Sequence, residues 1–174
     1  MEETIRNQKT MSLQKFMANN ANYHSWVTEK FVEWLSEKPD ELLHKEVPSS
    51  FNSIIRTVNH IWGADEYWYS IIAEVEQFDG REQNTELDTK EVLAGVAKRA
   101  KIISELINSY NEADLSKLVK VVSPWFECEL PKYDYLQQLI NHATYHRGQI
   151  VTMGRSIGIT DAPMTDYNYF NVNP

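Results

Sequence analysis

Apolar residues recur at three- and four-residue spacing over four long stretches of the chain, the period of helices with one buried face. Leu13, Phe16, Met17, Tyr23, Val27, Phe31, Trp34 and Leu35 mark the inward stripe of a first helix. It runs from a cap at Thr10 to about Glu37, and Pro39-Asp40 ends it. After a connection over 40–49, Ser49 or Ser50 is placed to cap a second helix. Its stripe is Ile54, Val58, Ile61, Trp68, Ile72 and Val75; it ends near Glu76 or Phe78, with Gly80 as the stop signal. Residues 80–88 are charged and polar, a surface loop. Asp88-Thr89-Lys90-Glu91 has the form of a capping box and opens a third helix to about Tyr110, with Val92, Val96, Ala100, Ile103, Leu106, Ile107 and Tyr110 inward.

The period then switches to two. Leu118 to Val122 and Trp125 to Leu130, around Ser123-Pro124, predict two short strands, with Phe126, Cys128 and Leu130 alternating against Glu127 and Glu129. A fourth helix follows from about Lys132 to Ser156, with Gly158 past its end. The tail from Ile159 lacks helical period, and its Tyr167, Tyr169 and Phe170 predict packing on the body or on a partner subunit. No repeat or domain boundary interrupts the chain. The expected fold is all-α: one domain, a four-helix bundle with a short β-hairpin between helices three and four.

Composition narrows the partners. Lys+Arg 17 against Asp+Glu 25 gives a formal charge of −8, which disfavours nucleic acid or an anionic membrane. No apolar run reaches membrane-spanning length, and the N-terminus has no apolar signal core. The single cysteine, Cys128, excludes an internal disulfide and fits a reducing compartment, so the cytoplasm is the expected location.

The chemistry concentrates in helix four. At about 100° per residue, His142 and His146 share the inward stripe with Tyr135, Leu136, Leu139, Ala143, Ile150, Met153 and Ile157. Two inward imidazoles one turn apart need hydrogen-bond partners or a metal ion. A catalytic metal site often has three protein ligands and one open position. The third candidate ligand is His60 on helix two, about a quarter turn from the centre of its own stripe and so aimed into a groove between helices. The plainer alternative is a pair of buried histidines bonded to Asn or Tyr. Ala143 stands where a zinc protease would carry its general-base Glu, and the Glu-x-x-His pairs of di-iron bundles are missing. Three neutral imidazoles suit zinc, nickel, copper or iron, with one zinc or nickel ion the expectation.

His60-Ile-Trp-Gly-Ala-Asp-Glu-Tyr-Trp68 and Asn141-His-Ala-Thr-Tyr-His-Arg-Gly-Gln149, with the order of helices and the hairpin, resemble the DinB/YfiT-like superfamily of metal-binding four-helix bundles, which is unrelated to the DNA polymerase sharing that name. The resemblance covers nearly the whole chain. It implies that His60, His142 and His146 are the metal ligands, that the chain forms a homodimer, and that it is a metal-dependent enzyme activating a low-molecular-weight thiol, or water, for transfer or hydrolysis on a small molecule.

The surrounding residues are weaker signals. Asp65, amid an apolar stripe, is the candidate for orienting a histidine or moving a proton, against the reading of a paired structural carboxylate. Asn59 and Gln149 flank ligands and can hold ring N–H groups. His24 reads as a satisfied core histidine before a fourth ligand, His44 as solvated, Arg147 as ion-paired before substrate-binding, and Cys128 as core. Tyr23, Trp26, Trp62, Trp68 and Trp125 are core aromatics before they are pocket walls. The rival to an enzyme is a non-catalytic, metal-stabilised binding module of a stress response; a metal-free structural dimer is the third option.

Overall fold

The computed structural model describes residues 11–76, 78, 86–124 and 126–173. In chain order the elements are α1 (Leu13–Ser36), α2 (Asp40–His44), α3 (Ile54–Ala73), α4 (Thr89–Ser109), α5 (Glu112–Ser116), β1 (Leu118–Val122), β2 (Glu127–Pro131), α6 (Lys132–Ser156) and α7 (Tyr167–Val172). The four long helices are the expected bundle. α1 packs chiefly on α4, and α3 packs on both α4 and α6. β1 and β2 pair antiparallel, with Val121 opposite Cys128. None of the described helices is long and apolar enough to cross a membrane.

Side-chain caps fix the starts, and several differ from expectation. Thr10 lies outside the described residues, and Ser12 caps α1, accepting from the Lys15 N–H at 3.3 Å. The second long helix starts later than Ser49 or Ser50 would place it: Ser53 is the cap, accepting from Arg56 N–H at 3.2 Å. The connection over 40–49 contains the single turn α2. α3 stops at Ala73 because Glu74 turns left-handed, φ 55°, with Lys117 and Lys132 both within 2.7 Å of its carboxylate. Val75, expected inside, therefore lies beyond the helix and is exposed, and Phe16 on α1 is also exposed. Gly80 and most of the 80–88 loop fall outside the described residues. Asp88 caps α4 as expected, accepting from Glu91 N–H at 2.8 Å.

Two short helices carried no periodic signal. α5 exists because Asn111 and Asp114 satisfy each other's end groups in a capping box. α7 is one turn and a half, too short for a stripe. Its aromatics pack on the body: Tyr167 meets Tyr23 edge-on at 5.1 Å, and Phe170 lies 5.4 Å from Trp26.

The core divides along the bundle. One cluster holds Val27, Phe31, Leu35, Ile54, Val58, Ile61, Val96 and Ile150; the other holds Met17, Ala21, Trp68, Ile72, Ile103, Tyr135 and Leu139. On α1 the switch falls between Ala21 and Tyr23, on α3 between Ile61 and Trp68, and on α6 between Ile140 and Ala143. His24, Asp65 and His142 sit at this junction, so a polar layer separates two apolar ones.

The α3–α4 seam is tight. Trp62 is held by its Nε1–H donating to Glu66 at 2.9 Å, and Glu66 pairs with Arg99 at 2.6 Å. A Cβ on Gly95 would be built into the Trp62 ring. Alanine normally gains roughly 1 kcal/mol over glycine inside a helix. Here overpacking of about 1–3 kcal/mol opposes that gain, so Gly95→Ala is expected to lower the urea midpoint. A midpoint at or above wild type contradicts this reading of the seam.

Candidate metal centre

α6 carries His142 and His146 four residues apart, and α3 packed beside it carries His60. Their ring Nε2 atoms converge: His60 to His142 is 2.9 Å and His142 to His146 is 3.1 Å. Among the described residues these three form the cluster able to hold an ion, with ligand atoms within 4.8 Å of one another. A tetrahedral ion with bonds of 2.0–2.1 Å separates its ligand nitrogens by roughly 3.3 Å, so these two pairs need only a slight opening. His60 does point into the seam between α3 and α6, half-buried, as its place on the wheel implied.

The tautomer of His146 follows from its neighbours. Gln149 Nε2 donates to Tyr145 OH at 3.1 Å and Ser50 Oγ at 3.3 Å, which turns its Oε1 toward His146 Nδ1 at 2.8 Å. That oxygen can only accept, so Nδ1 carries the proton and the Nε2 lone pair faces the cluster. The rings are also neutral. Burial, then the charges of His142 and His146, lower the His60 pKa to about 4. Burial, then His146, lower His142 to about 4, against an opposing pull from Asp65. His146 is lowered by burial, with its bond to Gln149 working the other way. Neutral imidazoles whose Nε2 atoms converge, the His146 lone pair among them already facing the cluster, are a donor set that fits a divalent metal.

Phe51 covers one side. Its ring stacks on His60 at 3.9 Å with 22° between planes, and lies 5.6 Å from His146. It is placed there by a tight turn centred on Asn52, whose φ is 56° and whose flanks close with Ser53 N–H donating to Phe51 C=O at 2.8 Å. Phe51 also lines a groove of about 430 Å³ with Ser50, Asn52, Ser53, Arg56, His44 and Glu46. Phe51 carries no signal in the sequence, and Ser50 reads there only as a cap, because loop residues carry no period.

The other singled-out residues land as follows. His24 is a core histidine: its Nε2 lies 3.0 Å from Asp65 Oδ2, both side chains fully buried. Asp65 therefore pairs with His24 and makes no direct bond to a histidine of the cluster. Arg147 is buried without a salt bridge; it donates to Thr144 Oγ1 at 2.8 Å and interacts with the Tyr23 hydroxyl, and burial lowers its pKa. Asn59 is fully buried. His44 is bonded to Thr89 Oγ1 at 2.9 Å near the surface. Cys128 is half-buried, 3.4 Å from Tyr135 OH. Trp125 lies outside the described residues.

A helical bundle with a small hairpin and three histidines gathered from two helices defines a class, four-helix bundles with a histidine cluster that could hold a metal ion. The chain belongs to the DinB family, whose model matches residues 9–172. It is 28% identical to Protein DinB of Bacillus subtilis (strain 168), an alignment covering 85% of this chain and 89% of that protein. It is also similar to the crystal structure of a DinB-like protein from Bacillus cereus, at 25% identity and TM-score 0.62, over 80% of this chain and 90% of that one.

The neutral rings set a pH dependence for the metal-free protein. Between the ordinary histidine value of 6.5 and about 4, the unfolded chain binds protons that the folded rings refuse. Stability from these rings is complete above pH 6.5 and is lost as pH falls toward 4. Urea midpoints across that window are expected to fall with pH, less steeply in His142→Ala. A flat midpoint through the window refutes the neutral-ring reading.

Proposed function

We propose that this chain binds one divalent metal ion, zinc or nickel, through His60, His142 and His146, and is an enzyme that activates a thiol or water for transfer or hydrolysis on a small molecule. The observation that carries the reading is the convergence of three neutral imidazole Nε2 atoms from two helices, with no fourth His, Cys, Asp or Glu ligand beside them among the described residues.

When bound, a divalent ion supplies the positive charge that makes a coordinated thiol or water release its proton more readily. The chain's own residues prepare that point. Gln149 fixes the His146 ring, and Phe51 braces His60 and shields its face from water. Phe51 and Ser50 belong both to this shell and to the neighbouring groove, which offers a small molecule a place on the far side of Phe51 from His60. A low-molecular-weight thiol is the candidate co-reactant. The groove walls carry both Arg56 and Glu46, so the lining alone selects no single charge for it.

Untagged protein is expected to hold one equivalent of metal after dialysis, and His142→Ala none. Cobalt-substituted protein is expected to change its visible spectrum when a small thiol is added. Turnover is sought in a panel of thiols with electrophiles and of amides, and should vanish with the metal. Full turnover by metal-free protein would falsify the enzyme reading. Stoichiometric metal with no spectral response and no turnover would instead favour the non-catalytic binding module.

A further inference from the structure

Where the two apolar clusters meet, four side chains end in buried polar atoms without a partner: His24 Nδ1, on the ring that Asp65 holds through Nε2, and then Asp65 Oδ1, His142 Nδ1 and Arg147 Nη1, the three that bear on the cluster. Such atoms are costly to bury unbonded, and in native proteins they converge on each other or on internal water. Asp65 on α3 faces α6, the helix packed beside it, and interacts across that seam with both His142 and Arg147. Their hydrogen-bonding roles are complementary too. Arg147 Nη1 can only donate. His142 Nδ1 donates whenever the ring's Nε2 lone pair is given to a ligand point. Asp65 Oδ1 accepts. Two donors and one acceptor suit one buried water, which accepts twice and donates once.

The remaining geometry keeps Asp65 in place for this task. Its other oxygen is taken by His24 at 3.0 Å, with both side chains at 0% exposure. The carboxylate cannot swing away without breaking that bond. His146 already has its own tautomer lock in Gln149, at 2.8 Å. His142, the middle ring of the cluster, has none by direct contact.

We propose that Asp65 is the positioning residue of the metal centre: through one internal water shared with Arg147, its free oxygen holds the His142 Nδ1–H and keeps the Nε2 lone pair on the ion. The inference rests on the metal reading above and assigns to Asp65 no proton transfer in the reaction. Outer partners of this kind are worth roughly 10–100-fold in metal affinity.

The test uses the full chain loaded with zinc. Affinity is measured by competition with a chromophoric chelator for wild type, Asp65→Asn and, as a surface control, Glu105→Gln. Asp65→Asn is expected to bind zinc roughly 10–100-fold more weakly, with the control unchanged. In ¹H–¹⁵N spectra of the zinc-loaded proteins, the His142 Nδ1–H signal should shift in Asp65→Asn, while that of His146 stays put. A purely structural role for Asp65 would move neither signal selectively. Equal zinc affinity in wild type and Asp65→Asn overturns the inference. Should Asp65→Asn not fold, wild type alone decides: a cross-peak between the His142 Nδ1–H and a long-lived water supports the inference, and its absence overturns it. Wild type that takes up no zinc fails at the first step and sinks the metal reading itself.

Discussion

Three imidazole lone pairs cannot crowd to 2.9–3.1 Å around one point without a positive charge or a proton among them. An added proton is a poor answer, because burial and mutual repulsion lower the pKa values of the His60 and His142 rings to about 4, which leaves a neutral ring's own N–H or a cation. The protein has made rearrangement difficult as well. His146 is tied through Gln149 to Ser50 and Tyr145, and His60 lies against Phe51. A bundle with no use for the cluster would lose little by replacing these rings with leucine. The restraints act on the orientation of the rings.

The polar layer holds groups of both signs. Asp65 and Arg147 are both buried, and Asp65 partly offsets the burial that lowers the Arg147 pKa. The His60, His142 and His146 rings add no charge above their lowered titration ranges. A divalent ion brings an excess positive charge that an anionic ligand can offset, which suits a thiolate better than a cationic group. Buried charges are hazardous unless paired, and this arrangement confines them to the level where two apolar clusters already end.

The sequence carried most of this where the information is periodic. Spacing of three and four residues located the four long helices, and the i, i+4 relation put His142 and His146 on one face. His60 was placed at the groove by its angle on the wheel. What escaped was decided by single residues or by contacts distant in sequence. Glu74 ends α3 by turning left-handed under two lysines, one of them 58 positions further on, Lys132. Ser53 beats Ser49 and Ser50 as the cap because a tight turn at Asn52 occupies the residues before it. Phe51 joins the site through that same turn. The His24–Asp65 bond spans 41 positions between two helices and has no local signature. Periodicity reports which face is inward; it does not report which inward side chains touch.

The tail extends the same logic outward. Tyr23 is the link: its hydroxyl donates to Thr165 C=O at 2.7 Å and also interacts with Arg147. Asn19 adds bonds of 2.8 Å to Tyr167 OH and Asn171, and Trp34 and Lys38 hold Asp161. The segment after α6 is therefore anchored at several points along α1. One anchor, Tyr23, reaches the guanidinium beside the polar layer. Arg147 is adjacent in sequence to His146, so the tail's anchor at Tyr23 reaches the turn of α6 that carries a histidine of the cluster. The tail is in this sense a structural part of the centre, although it contributes no ligand to it.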